Sequence, residues 1–215
     1  MPTDNSNMLE VIEDFPQQCR TALELPKGMS VSGNVDKIVV AGMGGSAVGG
    51  DLLKIYMHNS KVPVFVVRDY KVPNFVDENT LLFAVSYSGN TEETISAFED
   101  AAKKKAKIVA VTSGGILEKK SKKIVKVPGG LQPRAALGYL FFPVLGVLVN
   151  SGIADVKGNE IEEMLDILSK TDEFKTAGER MAKKIGQRTP IVYASELLGA
   201  VAYRWKTQFN ENSKV

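Results

Sequence analysis

Short runs rich in β-branched residues recur along the chain up to Val127, and the segments between most of them switch to helical spacing. The runs are Lys37 to Ala41, Val62 to Val67, Leu81 to Val85, Lys107 to Thr112 and Ile124 to Val127. Strands that alternate with helices must run parallel, because each helix carries the chain back to the edge where it started. The pattern therefore predicts an α/β fold with a parallel five-stranded, doubly wound, flavodoxin-like sheet. Two of the helices are well marked, Ser46 to Met57 and Thr91 to Lys104. The second opens on Thr91 as an N-cap, with Glu92 and Glu93 in its first turn, where the helix dipole favours negative charge.

Around this domain the spacing is helical. Met8, Leu9, Val11, Ile12 and Phe15 predict a short amphipathic helix ending at Pro16. The uncharged stretch Ala135 to Ala154 is about as long as a membrane span, but Pro143, Gly138, Gly146, Asn150 and Ser151 suit a buried, broken helix between domains better. Ile161, Met164, Leu165 and Leu168 repeat at helical spacing, as does Glu173 to Ile185. Ile191 to Ser195 then reads as a strand followed by a helix to about Gln208, echoing Ile38 to Gly42 and its helix.

The expected organisation is an N-terminal helical segment over 1–30, a first domain over 31–150, a helical connection over 151–188 and the start of a second domain over 189–215. The chain has 215 residues, 44% of them hydrophobic, which suffices for one complete α/β domain and part of another. A second domain like the first would need roughly another hundred residues, so the sequence reads as a fragment.

Charge and cysteine usage narrow the function. A net charge of +2 is too small for a nucleic-acid partner. The lysine runs Lys103 to Lys105 and Lys119 to Lys123 lack interleaved aromatics and read as solvated faces. The single cysteine, Cys19, cannot form an internal disulfide and reads as a small buried residue. The absence of a Cys/His cluster argues against a zinc site. The N-terminus has acidic residues where an export signal would be basic and apolar, so a cytoplasmic location is expected, without membrane attachment.

Two loops carry the chemistry. Gly42-Met43-Gly44-Gly45-Ser46-Ala47 joins the first strand to its helix, where glycines allow close approach to an anion at the helix N-terminus. It also fits a dinucleotide fingerprint, with Asp69 as the ribose acid, or a plain packing turn. The second loop, Ser86-Tyr87-Ser88-Gly89-Asn90-Thr91, follows the third strand and opens the next helix. Its three hydroxyls, Ser86, Ser88 and Thr91, with the backbone N–H groups around Gly89, form a neutral cradle for a phosphate monoester. A nucleotide site would leave that loop unexplained, although a capped helix start would not. With strand order 2-1-3-4-5 the crevice lies between the ends of strands one and three, and both loops face it.

Gly44-Gly45-Ser46, Ser86 to Thr94, Pro133-Arg134-Ala135 and Asn210 to Lys214, in this order, resemble the sugar-isomerase (SIS) type phosphoglucose/phosphomannose isomerases of archaea and some bacteria. The resemblance spans nearly the whole chain. It implies tandem SIS domains, phosphate binding by Ser46, Ser86, Ser88 and Thr91 with Gly45 contributing backbone, an electrostatic role for Arg134, and Glu211 as catalytic base. It implies a phosphorylated hexose as substrate, isomerised through a cis-enediol, with no cofactor and no metal, in a homodimer. The family also uses a histidine from across the dimer and a lysine near its C-terminus. Neither has a counterpart here, and His58 reads as a surface residue. A non-catalytic sugar-phosphate-binding module is the alternative, because the same fold serves both ends.

Overall fold

The computed structural model describes Asp4 and residues 7–214. It divides into two compact units: Thr21–Asp155, and the residues up to Arg20 together with those from Val156 onward.

The first unit is built on five parallel strands, β1 (Lys37–Ala41), β2 (Val64–Val67), β3 (Thr80–Val85), β4 (Lys107–Thr112) and β5 (Ile124–Lys126). They lie in the order β2-β1-β3-β4-β5, all pairs parallel, which is the expected topology. β3 is buried along its whole length, as a central strand covered on both faces must be. β2 begins two residues later than the spacing suggests. Pro63 has no N–H for the ladder, although its carbonyl still accepts from Ile38 N–H at 2.9 Å.

Strand residues alternate between the two faces. Val39, Ala41, Leu82, Ala84 and Ala110 pack with Ala97 and Ala101 of a helix that runs Glu92–Lys103, here α4. Ahead of it in the chain come α1 (Met8–Glu13), α2 (Phe15–Glu24) and α3 (Gly44–Tyr56). Val40 and Val66 point to the opposite face and meet Gly50 of α3. A short α5 (Gly115–Lys120) and then α6 (Leu137–Asn150) complete this unit.

α6 corrects the sequence reading. It is one continuous helix through Pro143 rather than a broken one, and it lies in the first unit. An internal proline costs about 3 kcal/mol. Burial of Leu140, Phe142, Val144, Leu145, Val147 and Leu148 offsets that cost. The contact with α3 is close enough that a Cβ on Gly49 would lie 2.7 Å from the Leu140 carbonyl oxygen. At the far end, Asn150 Nδ2 donates to the carbonyls of Pro26 (2.8 Å) and Met29 (3.2 Å), holding the segment that leads into β1. Among the described residues no helix is long and apolar enough to cross a membrane.

The second unit is helical. The opening helix does not stop at Pro16: α1 ends at Glu13, and Pro16 sits in the first turn of α2, where a missing N–H costs nothing. α7 (Glu160–Leu168) and α8 (Thr171–Ile185) follow the predicted spacing, and α9 (Gly199–Gln208) ends where expected. The strand expected at Ile191 to Ser195 is absent. That segment pairs with no neighbour, and Ile191 and Tyr193 stand 73% and 88% exposed. A strand exists only as a partner in a ladder, and β-branched composition cannot supply one.

Gly49→Ala should be destabilised by about 1–3 kcal/mol despite its better helix propensity, because the methyl group meets backbone. Gly178→Ala in α8, where nothing lies within 4 Å, should gain up to about 1 kcal/mol. Urea unfolding midpoints of the two variants would check the opposite signs.

Candidate functional site

Both glycine- and serine-bearing loops leave the sheet at the carboxyl ends of neighbouring strands, β1 and β3, where the strand order reverses. The first becomes α3, which begins at Gly44, two residues earlier than predicted. Ser46 lies buried in its first turn, and Tyr87 N–H donates to Ser46 Oγ at 3.4 Å. The two loops therefore touch, through Ser46 of the first and Tyr87 of the second.

In the second loop Ser86 is fully buried. Its Oγ accepts from Gly89 N–H at 3.1 Å and lies 2.9 Å from Thr91 Oγ1. Thr91 occupies the N-cap position of α4 but does not cap it through its side chain. Its hydroxyl is engaged with Ser86 instead. Either hydroxyl can donate to the other, and Ser86 Oγ has a lone pair for each of its two neighbours. Ser88 is exposed at the loop tip and accepts from Asn90 N–H at 3.3 Å. Gly89 makes the turn at φ +70°, and a Cβ there would run into the Gly114 carbonyl. Asn90 Oδ1 accepts from Ile116 N–H at 3.1 Å and ties the loop to α5.

Arg134 lies after β5, in a single turn of 3-10 helix at Pro133–Ala135. Its side chain is half-buried. That turn sits against the start of α3: a Cβ on Gly45 would lie 3.0 Å from the Pro133 carbonyl oxygen and 3.4 Å from Arg134 Cα. Gly45, Ser46, Ser86, Ser88, Thr91 and Arg134 thus share one end of the first unit. Glu211 belongs to the second unit, exposed in the helical turn Phe209–Ser213 that extends α9.

Other candidates fall away from this end. His58 is exposed after α3, its Nδ1 2.9 Å from the Ile55 carbonyl. Asp69 is exposed and accepts from the next residue's N–H at 2.6 Å. Cys19 is fully buried, and burial pushes its thiol up to about 12. Among the described residues no three His, Cys, Asp or Glu side chains group as metal ligands would. Lys104 is more than a solvated lysine: Nζ donates to the carbonyls of Val72 (3.2 Å) and Pro73 (3.0 Å). The sequence reading passed over Tyr87, whose hydroxyl donates to the Pro128 carbonyl at 2.8 Å and accepts from Leu131 N–H at 3.1 Å. An aromatic residue between two loop serines was the available signal.

Comparison with known proteins agrees with this fold. Residues 34–133 match the SIS domain, and residues 174–215 match the bacterial phospho-glucose isomerase C-terminal SIS domain. The chain is 42% identical to a bifunctional phosphoglucose/phosphomannose isomerase of Caldicellulosiruptor bescii, over 96% of this chain and 66% of that one. It is 36% identical to a protein of the same name from Pyrobaculum aerophilum, over 98% of this chain and 68% of the relative. The chain therefore spans about two thirds of the length of these relatives. Among solved structures, the C-terminal domain of glucosamine-fructose-6-phosphate aminotransferase from Francisella tularensis superposes with a TM-score of 0.70 at 16% identity, covering 98% of this chain and 69% of that one. That likeness is one of fold.

Two consequences can be measured. Ser88→Ala removes an exposed hydroxyl and should leave stability within about 0.5 kcal/mol, yet weaken inorganic phosphate binding several-fold by calorimetry. Cys19, protonated and enclosed, should resist iodoacetamide at pH 8 until the chain is unfolded. Because its folded pKa is raised above the ordinary 9.0, the thiol's contribution to stability is full below pH 9 and declines above it, as the unfolded chain alone gives up the proton.

Proposed function

The chain belongs to the family of bifunctional phosphoglucose/phosphomannose isomerases, and we propose that it serves the interconversion of glucose 6-phosphate, and of mannose 6-phosphate, with fructose 6-phosphate. The observation that carries the reading is the meeting of Ser46 with the Ser86–Thr91 loop at the point where the strand order reverses. Ser46, Ser86, Ser88 and Thr91 hold the phosphate monoester, with Gly45 bringing backbone close. Hydroxyls and N–H groups suit this ligand because they bind its oxygens without a competing counter-charge.

Arg134 supplies the permanent positive charge and Glu211 the base. From fructose 6-phosphate, the carboxylate takes a proton from C1. The C1–H electrons form the C1=C2 bond and the C2 carbonyl oxygen takes on negative charge, which a guanidinium stabilises. Returning the proton to C2 while the C1 hydroxyl proton passes to the C2 oxygen leaves a carbonyl at C1 and a hydroxyl at C2, the aldose, with no net change in atoms or electrons. No cofactor is needed for this step. The protein acts in the cytoplasm as a homodimer on this reading. The reduced, buried Cys19 supports the first, and the exposed Ile191 and Tyr193 support an apolar partner surface for the second.

Incubation with fructose 6-phosphate in D₂O, followed by NMR, reads the proton transfer directly. The C1 signal should be lost with time, and Glu211→Gln should slow that loss by about 10²-fold or more while leaving sugar-phosphate affinity unchanged. Saturable binding with no exchange in the unaltered chain would instead identify a sugar-phosphate-binding module.

A further inference from the structure

The tyrosine between the two serines has no part in the chemistry described so far. Its ring is 4% exposed, and a phenylalanine would fill the same apolar space. What needs explaining is the hydroxyl. Burial pushes its pKa above the ordinary phenol value, so it keeps the proton it donates to the Pro128 carbonyl. It also accepts from Leu131 N–H. Both partners lie on the segment that leads from β5 to Arg134.

The main chain of Tyr87 is held as firmly. Its carbonyl accepts from Ser113 N–H at 3.0 Å and from Ser113 Oγ at 2.6 Å, and its N–H donates to Ser46 Oγ. One residue thereby joins the exit of β3, the first turn of α3 and the segment carrying the arginine. Leu131 stands only three residues before Arg134. Between them the chain closes into a turn, with Ala135 N–H donating to the Gln132 carbonyl at 2.8 Å and Ala136 N–H to the Pro133 carbonyl at 3.2 Å. The arm is short, pinned at one end by the phenol and seated at the other on Gly45.

We infer that Tyr87 is a positioning residue, whose hydroxyl fixes the 128–134 arm and so sets Arg134 against the phosphate cradle. The inference rests on the isomerase reading for its catalytic meaning. The phosphate is bound by the loops themselves, whereas the arginine acts on charge that develops at the other end of the sugar. Loss of the hydroxyl should therefore affect turnover more than binding.

Tyr87→Phe keeps the ring and removes both bonds. At saturating fructose 6-phosphate its rate of C1 proton exchange should fall about 10- to 100-fold, as small misplacements of an acting group do. KM and the dissociation constant for inorganic phosphate should each change less than about threefold, because the cradle is intact. In an Arg134→Gln background the same change should cost less than about twofold, since two residues acting through one interaction do not add. Equal losses in both backgrounds, or a fall in phosphate affinity matching the fall in rate, would mean that Tyr87 only supports the fold. Hydrogen–deuterium exchange gives a readout independent of turnover: amides of 129–136 should exchange faster in Tyr87→Phe while those of 86–91 do not. Unchanged protection of 129–136 would overturn the inference. Failure of the isomerase reading looks different, as absence of proton exchange in the unaltered chain.

Discussion

The parallel pairing of β1 with β3 determines where everything else in the first unit can go. Ala41 lies beside Ala84 at the end of that pair, and from there the chain leaves in opposite directions. α3 turns onto the face that carries Val40, and α4 onto the face that carries Val39. Two helices starting side by side on opposite faces cannot cover the strand ends between them. The resulting crevice is where polar groups can remain buried yet reachable, and Ser46, Ser86 and Thr91 occupy it. Pairing of strands that are not adjacent in sequence thus creates the site before any side chain is chosen for chemistry.

Much of this was legible because parallel strands and their helices write different periods. The five runs and their order could be read from Lys37 to Val127, with errors only at strand ends such as Pro63. The meeting of the two loops could be read as well, since both leave neighbouring strands where the strand order reverses. What escaped depended on partners rather than on pattern. Ile191 to Ser195 has the composition of a strand and no neighbour to pair with. Pro143 looks like a break, and only the packing of α6 against α3 carries the helix through it. Thr91 reads as a cap, yet its hydroxyl has a better use 2.9 Å away on Ser86. The bonds of Tyr87 reach 41 and 44 residues along the chain, and no local spacing encodes them.

Glycine at 45 and 49 has the same meaning at two places on one helix. α3 is held against backbone at both, the Arg134 turn at its start and α6 one turn further on. Side-chain packing tolerates volume-conserving exchange, whereas backbone contact tolerates none. α3 is therefore closely seated where it borders the crevice, and Ser46 lies on that seated turn. A binding group on such an element needs little ordering when ligand arrives.

The mutual hydrogen bonding of Ser86, Gly89 and Thr91 bears on kinetics as well as affinity. The Ser86 and Thr91 hydroxyls are held to one another, and Ser86 Oγ also holds Gly89 N–H. On the proposed phosphate-binding reading, the hydroxyls of Ser46, Ser86, Ser88 and Thr91 change partners when an anion comes or goes. Entry and release then require rotation of hydroxyls, a picosecond-to-nanosecond event, and no opening of backbone. Anion exchange at a pocket of that kind would be paced by diffusion and by the strength of the contacts themselves, with no wait for the slower conformational motions of the protein.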